Sequence, residues 1–169
     1  MTHDWSQLVR ELTLALVRLP SVTGTPGEVR FAEELHTMLA AHPYFCDHPQ
    51  EVWRERIPTD PHNRENVYSL VRGGGRATVV LSGHYDVVDV ANYGMLVSWA
   101  FDPEVLLPRL IAQLEQETPG DADARTLADL QSGNYLPGRG VLDMKSGLAA
   151  GIAVQAHFAA ATSRTGNIL

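Results

Sequence analysis

Five consecutive residues constrain the fold most: Thr78-Val79-Val80-Leu81-Ser82, a short and nearly unbroken β-branched and apolar run. It lacks the alternation of a strand with one wet face, and it suits a strand buried on both faces in a sheet covered by helices. Helical patterning lies on either side of it. Over residues 5–19 the side chains Trp5, Leu8, Val9, Leu12, Leu16 and Leu19 recur at helical spacing, with Asp4 placed to cap the start and Pro20 to mark the stop. Thr25-Pro26-Gly27-Glu28 reads as a capping box with proline at the first helical position. The helix it opens carries Val29, Phe31, Ala32, Leu35, Met38 and Leu39 inward and ends before Pro43.

Residues 43–64 show no clear periodicity apart from a strand around residues 52–57. Residues 66–72 read as a further strand, Ser21 to Gly24 as a loop, and Gly73-Gly74-Gly75 as a tight turn. In the irregular stretch 89–137, a helix is predicted over 104–117, a break at Pro119-Gly120 and a short helix over 121–131. An Ala-rich helix over 145–161 follows, with Gly147, Ala149, Ala150, Gly151 and Ala153 small enough to lie tight on a sheet. Gly166-Asn167 reads as a turn and Ile168-Leu169 as the start of another strand. This order predicts an α/β chain: a three-layer sandwich with a mixed, largely parallel sheet.

The 169 residues suffice for one domain with a real core, and 44% hydrophobic against 20% charged residues is the balance of a globular chain. Thirteen Lys+Arg against 20 Asp+Glu give a net charge of −7, with no basic cluster, which argues against a nucleic-acid or anionic-membrane surface. A single cysteine, Cys46, leaves no internal disulfide, and the first residues show no signal peptide, so a cytoplasmic location is expected.

Two segments carry candidate chemistry. In Ser82-Gly83-His84-Tyr85-Asp86-Val87-Val88, His84 and Asp86 are two apart at the carboxyl end of the predicted strand, where α/β sheets gather ligands and where both project to one side. An imidazole beside a carboxylate can be a metal ligand with its support, or an acid/base pair. It can also be a strand-end histidine bonded for structural reasons, which on spacing alone is the more ordinary reading. In Gly138-Arg139-Gly140-Val141-Leu142-Asp143-Met144-Lys145-Ser146-Gly147, the glycines allow close backbone approach. Asp143 there is either a site carboxylate or simply the N-cap of the long helix. The GxxxxGK[ST] order of a phosphate loop is absent. Cys46 between His42 and His48 reads as incidental rather than a thiolate site, and His157 as an edge residue of its helix. His84, Asp86 and Asp143 together make half a site for zinc or a similar metal.

These two segments, in this order, resemble the N-terminal signatures of a zinc-dependent hydrolase family that includes aminoacylases, acetylornithine deacetylase, succinyl-diaminopimelate desuccinylase and glutamate carboxypeptidases. Leu19-Pro20-Ser21-Val22-Thr23-Gly24 and Trp99-Ala100-Phe101-Asp102-Pro103 are similar to two further stretches of that family. Asp89, where proline commonly follows Asp-Val-Val, and the long spacing look most like its arginine-utilisation branch.

The resemblance implies that His84 ligates one zinc ion, that Asp143 bridges two, and that Asp86 takes a catalytic role by orienting His84. Cobalt or manganese would suit the same donors. It implies a cis peptide after Asp143, a small amide or peptide substrate, and a homodimer for the complete protein. The family's general base lies in a Glu-Glu pair after the strand that follows the long helix. Here that strand starts at Ile168, the chain stops at Leu169, and Glu33-Glu34 falls on an early helix. Residues 1–169 are therefore expected to be the N-terminal part of the catalytic domain, incomplete and without turnover alone. The alternative is a truncated, non-catalytic homologue acting as an interaction module.

Overall fold

The computed structural model describes residues 4–116 and 120–169, without the side chains of 121 and 122. The expected helix end at Glu117 and the Pro119 half of the predicted break lie outside the described residues. Among the described residues, six α-helices and four strands are present, all but α3 in the predicted order: α1 (Trp5–Val17), α2 (Pro26–Ala40), α3 (Pro43–Asp47), β1 (Val52–Arg56), β2 (Glu65–Ser69), β3 (Gly74–Val79), α4 (Pro103–Gln116), α5 (Asp121–Gln131), α6 (Ser146–Ala160) and β4 (Thr165–Ile168). No helix among the described residues is long and apolar enough to cross a membrane.

Asp4 caps α1 as expected, accepting from the backbone N–H groups of Ser6 and Gln7. The box that opens α2 is offset. Thr25 Oγ1 accepts from Gly27 N, but Glu28 reaches back to Gly24 N at 2.6 Å rather than to Thr25. Thr25 N is already taken by the Val22 carbonyl, so the carboxylate bonds the next free donor. The inward face of α2 buries Phe31, Ala32, Leu35 and Leu39, and Phe31, Leu35 and Leu39 join Leu16 of α1, Val52 of β1, Ala149 of α6 and Val71 in one core. Full burial of a side chain such as Phe31 is worth about 1.5–3 kcal/mol. Tyr44 and Phe45 of α3, a helix the pattern does not reveal, close the core at one end.

The fold is mixed α/β, with one antiparallel and one parallel two-stranded sheet among the described residues. β1 and β2 are antiparallel with Val52 opposite Ser69, and β3 and β4 are parallel with Val79 opposite Ile168. A single antiparallel bridge, Val71 to Ile168, links the two ladders. Gly74, expected in a turn, opens β3, and Gly166-Asn167 lies inside β4. The pairing runs past β3, with Leu81 N donating to Leu169 O and Leu169 N to Val79 O. The expected burial of this run is corrected. Val79 and Val80, on opposite faces of the strand, are 60% and 61% exposed and Leu81 43%, so the described residues leave both faces of this run partly open. Hydrophobicity marks what a strand can bury, not whether a layer is present to bury it.

Between β1 and β2, Asp60 closes the loop. Its carboxylate accepts from Arg64 Nε, Arg64 N and His62 N. The bonds from Arg64 lead in holding its pKa down at about 2, against an ordinary 3.8. A depressed folded pKa means stabilisation that is complete above the ordinary value and lost as pH falls through about 2. An NMR titration of the Asp60 carboxyl should give a midpoint near 2, and a midpoint near 3.8 would contradict this.

Candidate metal site

The exposed run delivers Gly83 and His84 to the start of α6. A Cβ on Gly83 would stand 2.7 Å from Met144 Cε and 2.8 Å from Leu148 Cδ2, so a side chain here would force those two side-chain ends to shift. Across this contact, His84 Nε2 lies 2.9 Å from Asp143 Oδ1. The other ring nitrogen, Nδ1, lies 3.2 Å from Asp86 Oδ1 and 3.1 Å from the Asp86 carbonyl. The structure thus brings all three predicted residues together, and it does so across 59 residues of sequence.

Asp143 is not an N-cap. Residues 141–145 form a single wide turn broken at Asp143 and Met144, the Asp143–Met144 peptide is cis, and α6 begins only at Ser146. The Asp143 side chain is 84% exposed. Burial works to lower the His84 pKa, but hydrogen bonding to Asp143 and Asp86 outweighs it and the net shift is upward. The arrangement therefore favours the protonated imidazole between the two carboxylates.

One imidazole nitrogen and a carboxylate are donors of the zinc type, and they would fill two of roughly four positions of such a site. No group of three or more His, Cys, Asp or Glu able to hold a metal is present among the described residues. The residues fit in kind and fall short in number. Cys46 takes no part, since its Sγ faces the carbonyls of Ala40 and Ala41. His42 caps α3, and His157 packs edge-on against Trp5.

Two neighbours escaped the sequence reading. Lys145 is fully buried, donating to the Leu19 carbonyl at 2.7 Å with its Nζ 4.6 Å from the Phe31 ring centre. Thr23 reaches the other half of the site, its Oγ1 donating to Asp86 Oδ2 at 2.9 Å. Both contacts run through the Leu19–Gly24 stretch, noted in the sequence for its resemblance but given no role.

This chain resembles protein RocB. It is 37% identical to protein RocB of Bacillus subtilis (strain 168) over 155 residues, 90% of this chain and 26% of RocB. It is 38% identical over 138 residues to the uncharacterized protein YqjN of the same organism, 81% of this chain and 24% of YqjN. The chain spans about a quarter of the length of these curated relatives. No family model matches it.

Proposed function

We propose that this chain contributes the first metal ligands of a hydrolase acting on amide bonds in N-acylated amino acids or small peptides. In this reading His84 and Asp143 hold the metal and Asp86 orients His84. The observation that carries it is the 2.9 Å approach of His84 Nε2 to Asp143 Oδ1, with Asp86 on the opposite ring nitrogen. Two segments far apart in sequence converge on one exposed imidazole. The RocB relationship and the two signatures support the hydrolase class.

When bound, zinc would polarise a carbonyl and lower the pKa of a coordinated water. The chain's own residues do the rest. With Nδ1–H donating to the Asp86 carbonyl and the Asp86 carboxylate 3.2 Å away, the Nε2 lone pair would be left for ligation and its basicity raised. Asp143 supplies a carboxylate that is free on most of its surface. Two donors fall short of the roughly four positions of a zinc site, so the 169-residue chain alone is expected to give no turnover.

Zinc titration by competition with a chromophoric chelator tests the ligand assignment. His84→Ala and Asp143→Ala should each weaken binding roughly a hundredfold or more, beyond the 10–100-fold that outer-shell changes cost. Unchanged affinity in both variants would refute it.

A further inference from the structure

We infer that Thr23 is a positioning residue for this site, fixing the Asp86 carboxylate so that its other oxygen sets the ring of His84. The inference rests on the reading of His84 as a ligand. Thr23 Oγ1 lies 2.9 Å from Asp86 Oδ2 and 3.1 Å from the Val87 carbonyl. That carbonyl already accepts from Thr23 N at 2.9 Å, so the single hydroxyl proton is better used on the charged oxygen, where the bond is stronger. With Oδ2 engaged, Oδ1 faces His84 Nδ1 at 3.2 Å. Among the described residues these are the two side chains that hold the Asp86 carboxylate, and no backbone N–H reaches it.

Thr23 is itself held firmly. Val22 pairs with Val87 in a parallel bridge, Val87 N donates to Ser21 O, and Ser21 Oγ donates to the Tyr85 carbonyl. The Leu19–Gly24 stretch is thus laced to residues 85–87 by main-chain and side-chain bonds. At its other end the Leu19 carbonyl takes the Lys145 ammonium, two residues beyond Asp143. One stretch therefore spans both halves of the site, and the Thr23 hydroxyl is the point at which it touches a functional side chain.

The neutral imidazole has one proton and two neighbouring carboxylates. Asp143 draws that proton to Nε2, while the Asp86 carbonyl at 3.1 Å and the Asp86 carboxylate at 3.2 Å draw it to Nδ1, and the carboxylate's share is the one that Thr23 fixes. Removing the hydroxyl should move the balance toward Nε2–H and hinder ligation. Thr23→Val and Thr23→Ser, with His84→Ala as control, test this by two readouts: zinc dissociation constants, and the His84 tautomer ratio from imidazole 15N shifts of the metal-free protein in alkaline buffer.

Thr23→Val should weaken zinc binding roughly 3–10-fold, below the 10–100-fold of a direct outer-shell partner because it acts through Asp86. It should also raise the Nε2–H fraction, and Thr23→Ser should restore both. Loss of fold stability alone would move neither the tautomer ratio nor the serine rescue. If His84→Ala loses zinc while Thr23→Val matches the wild type in affinity and tautomer, the inference is overturned and the ligand assignment stands. If His84→Ala binds zinc as the wild type does, the ligand assignment fails, and an unchanged tautomer ratio in Thr23→Val overturns the positioning role as well.

Discussion

Lys145→Ala is expected to destabilise the protein by about 2–4 kcal/mol, the range of a large-to-small core substitution that also strips a buried carbonyl of its donor. Lys145 has no exposed surface, and its stem and ammonium fill the space between the Phe31 and Phe101 rings, with Nζ 4.6 and 5.9 Å from their centres. Truncation leaves that space empty and orphans the Leu19 carbonyl. Lys145→Met separates the two losses. It keeps most of the volume and loses the bond, while removing an ammonium whose pKa burial has pulled down to about 8. A lowered pKa means that charging the group in the folded state carries a cost at neutral pH, and either substitution relieves it, so the two variants differ in the packing they keep. The methionine variant should therefore lose less than half as much as alanine in urea denaturation. Equal losses would show that the hydrogen bond, not the packing, dominates.

Gly140→Val is the second large effect, at about 2–5 kcal/mol, from left-handed backbone strain of roughly 1–2 and overpacking of roughly 1–3. Gly140 sits at φ 81° and ψ 0°, and a Cβ there would lie 2.6 Å from Val87 Cγ1. Val87 cannot retreat cheaply, because its backbone is bonded on both sides to Ser21 and Thr23. Gly133 is the control: it has φ +75° but open space around its Cβ direction, so Gly133→Val isolates the backbone strain. A Gly140→Val loss no larger than the Gly133→Val loss would contradict the close approach to Val87.

Much of this fold was readable from periodicity. The spacing of Phe31, Ala32, Leu35 and Leu39 placed α2, and small residues placed α6, because a helix repeats its buried face every three to four residues. Strand burial was not readable: Val79 and Val80 look like core and are open, since composition does not show what lies opposite. Gly166 looked like a turn but lies within β4, at φ 79°, at the irregularity between the Gly74–Thr165 and Thr78–Asn167 pairs.

The site divides the same way. His84 and Asp86 could be paired from their two-residue spacing alone. The approach of Asp143 could not, and rested on resemblance until the structure set it against Nε2. Lys145 and Thr23 carry no local signal. A lysine at a helix start and a threonine in a loop read as ordinary solvated residues, and only tertiary contacts reveal one as buried and the other as bonded to Asp86.

Zinc ligation by His84 is tested most directly by imidazole 15N chemical shifts of the full chain, recorded with and without the metal. The account predicts that, of seven histidines, His84 shows the shift of a metal-bound Nε2 with Nδ1 protonated, and that Asp143→Ala removes it. A metal-bound shift on another histidine, with His84 unchanged, would contradict it.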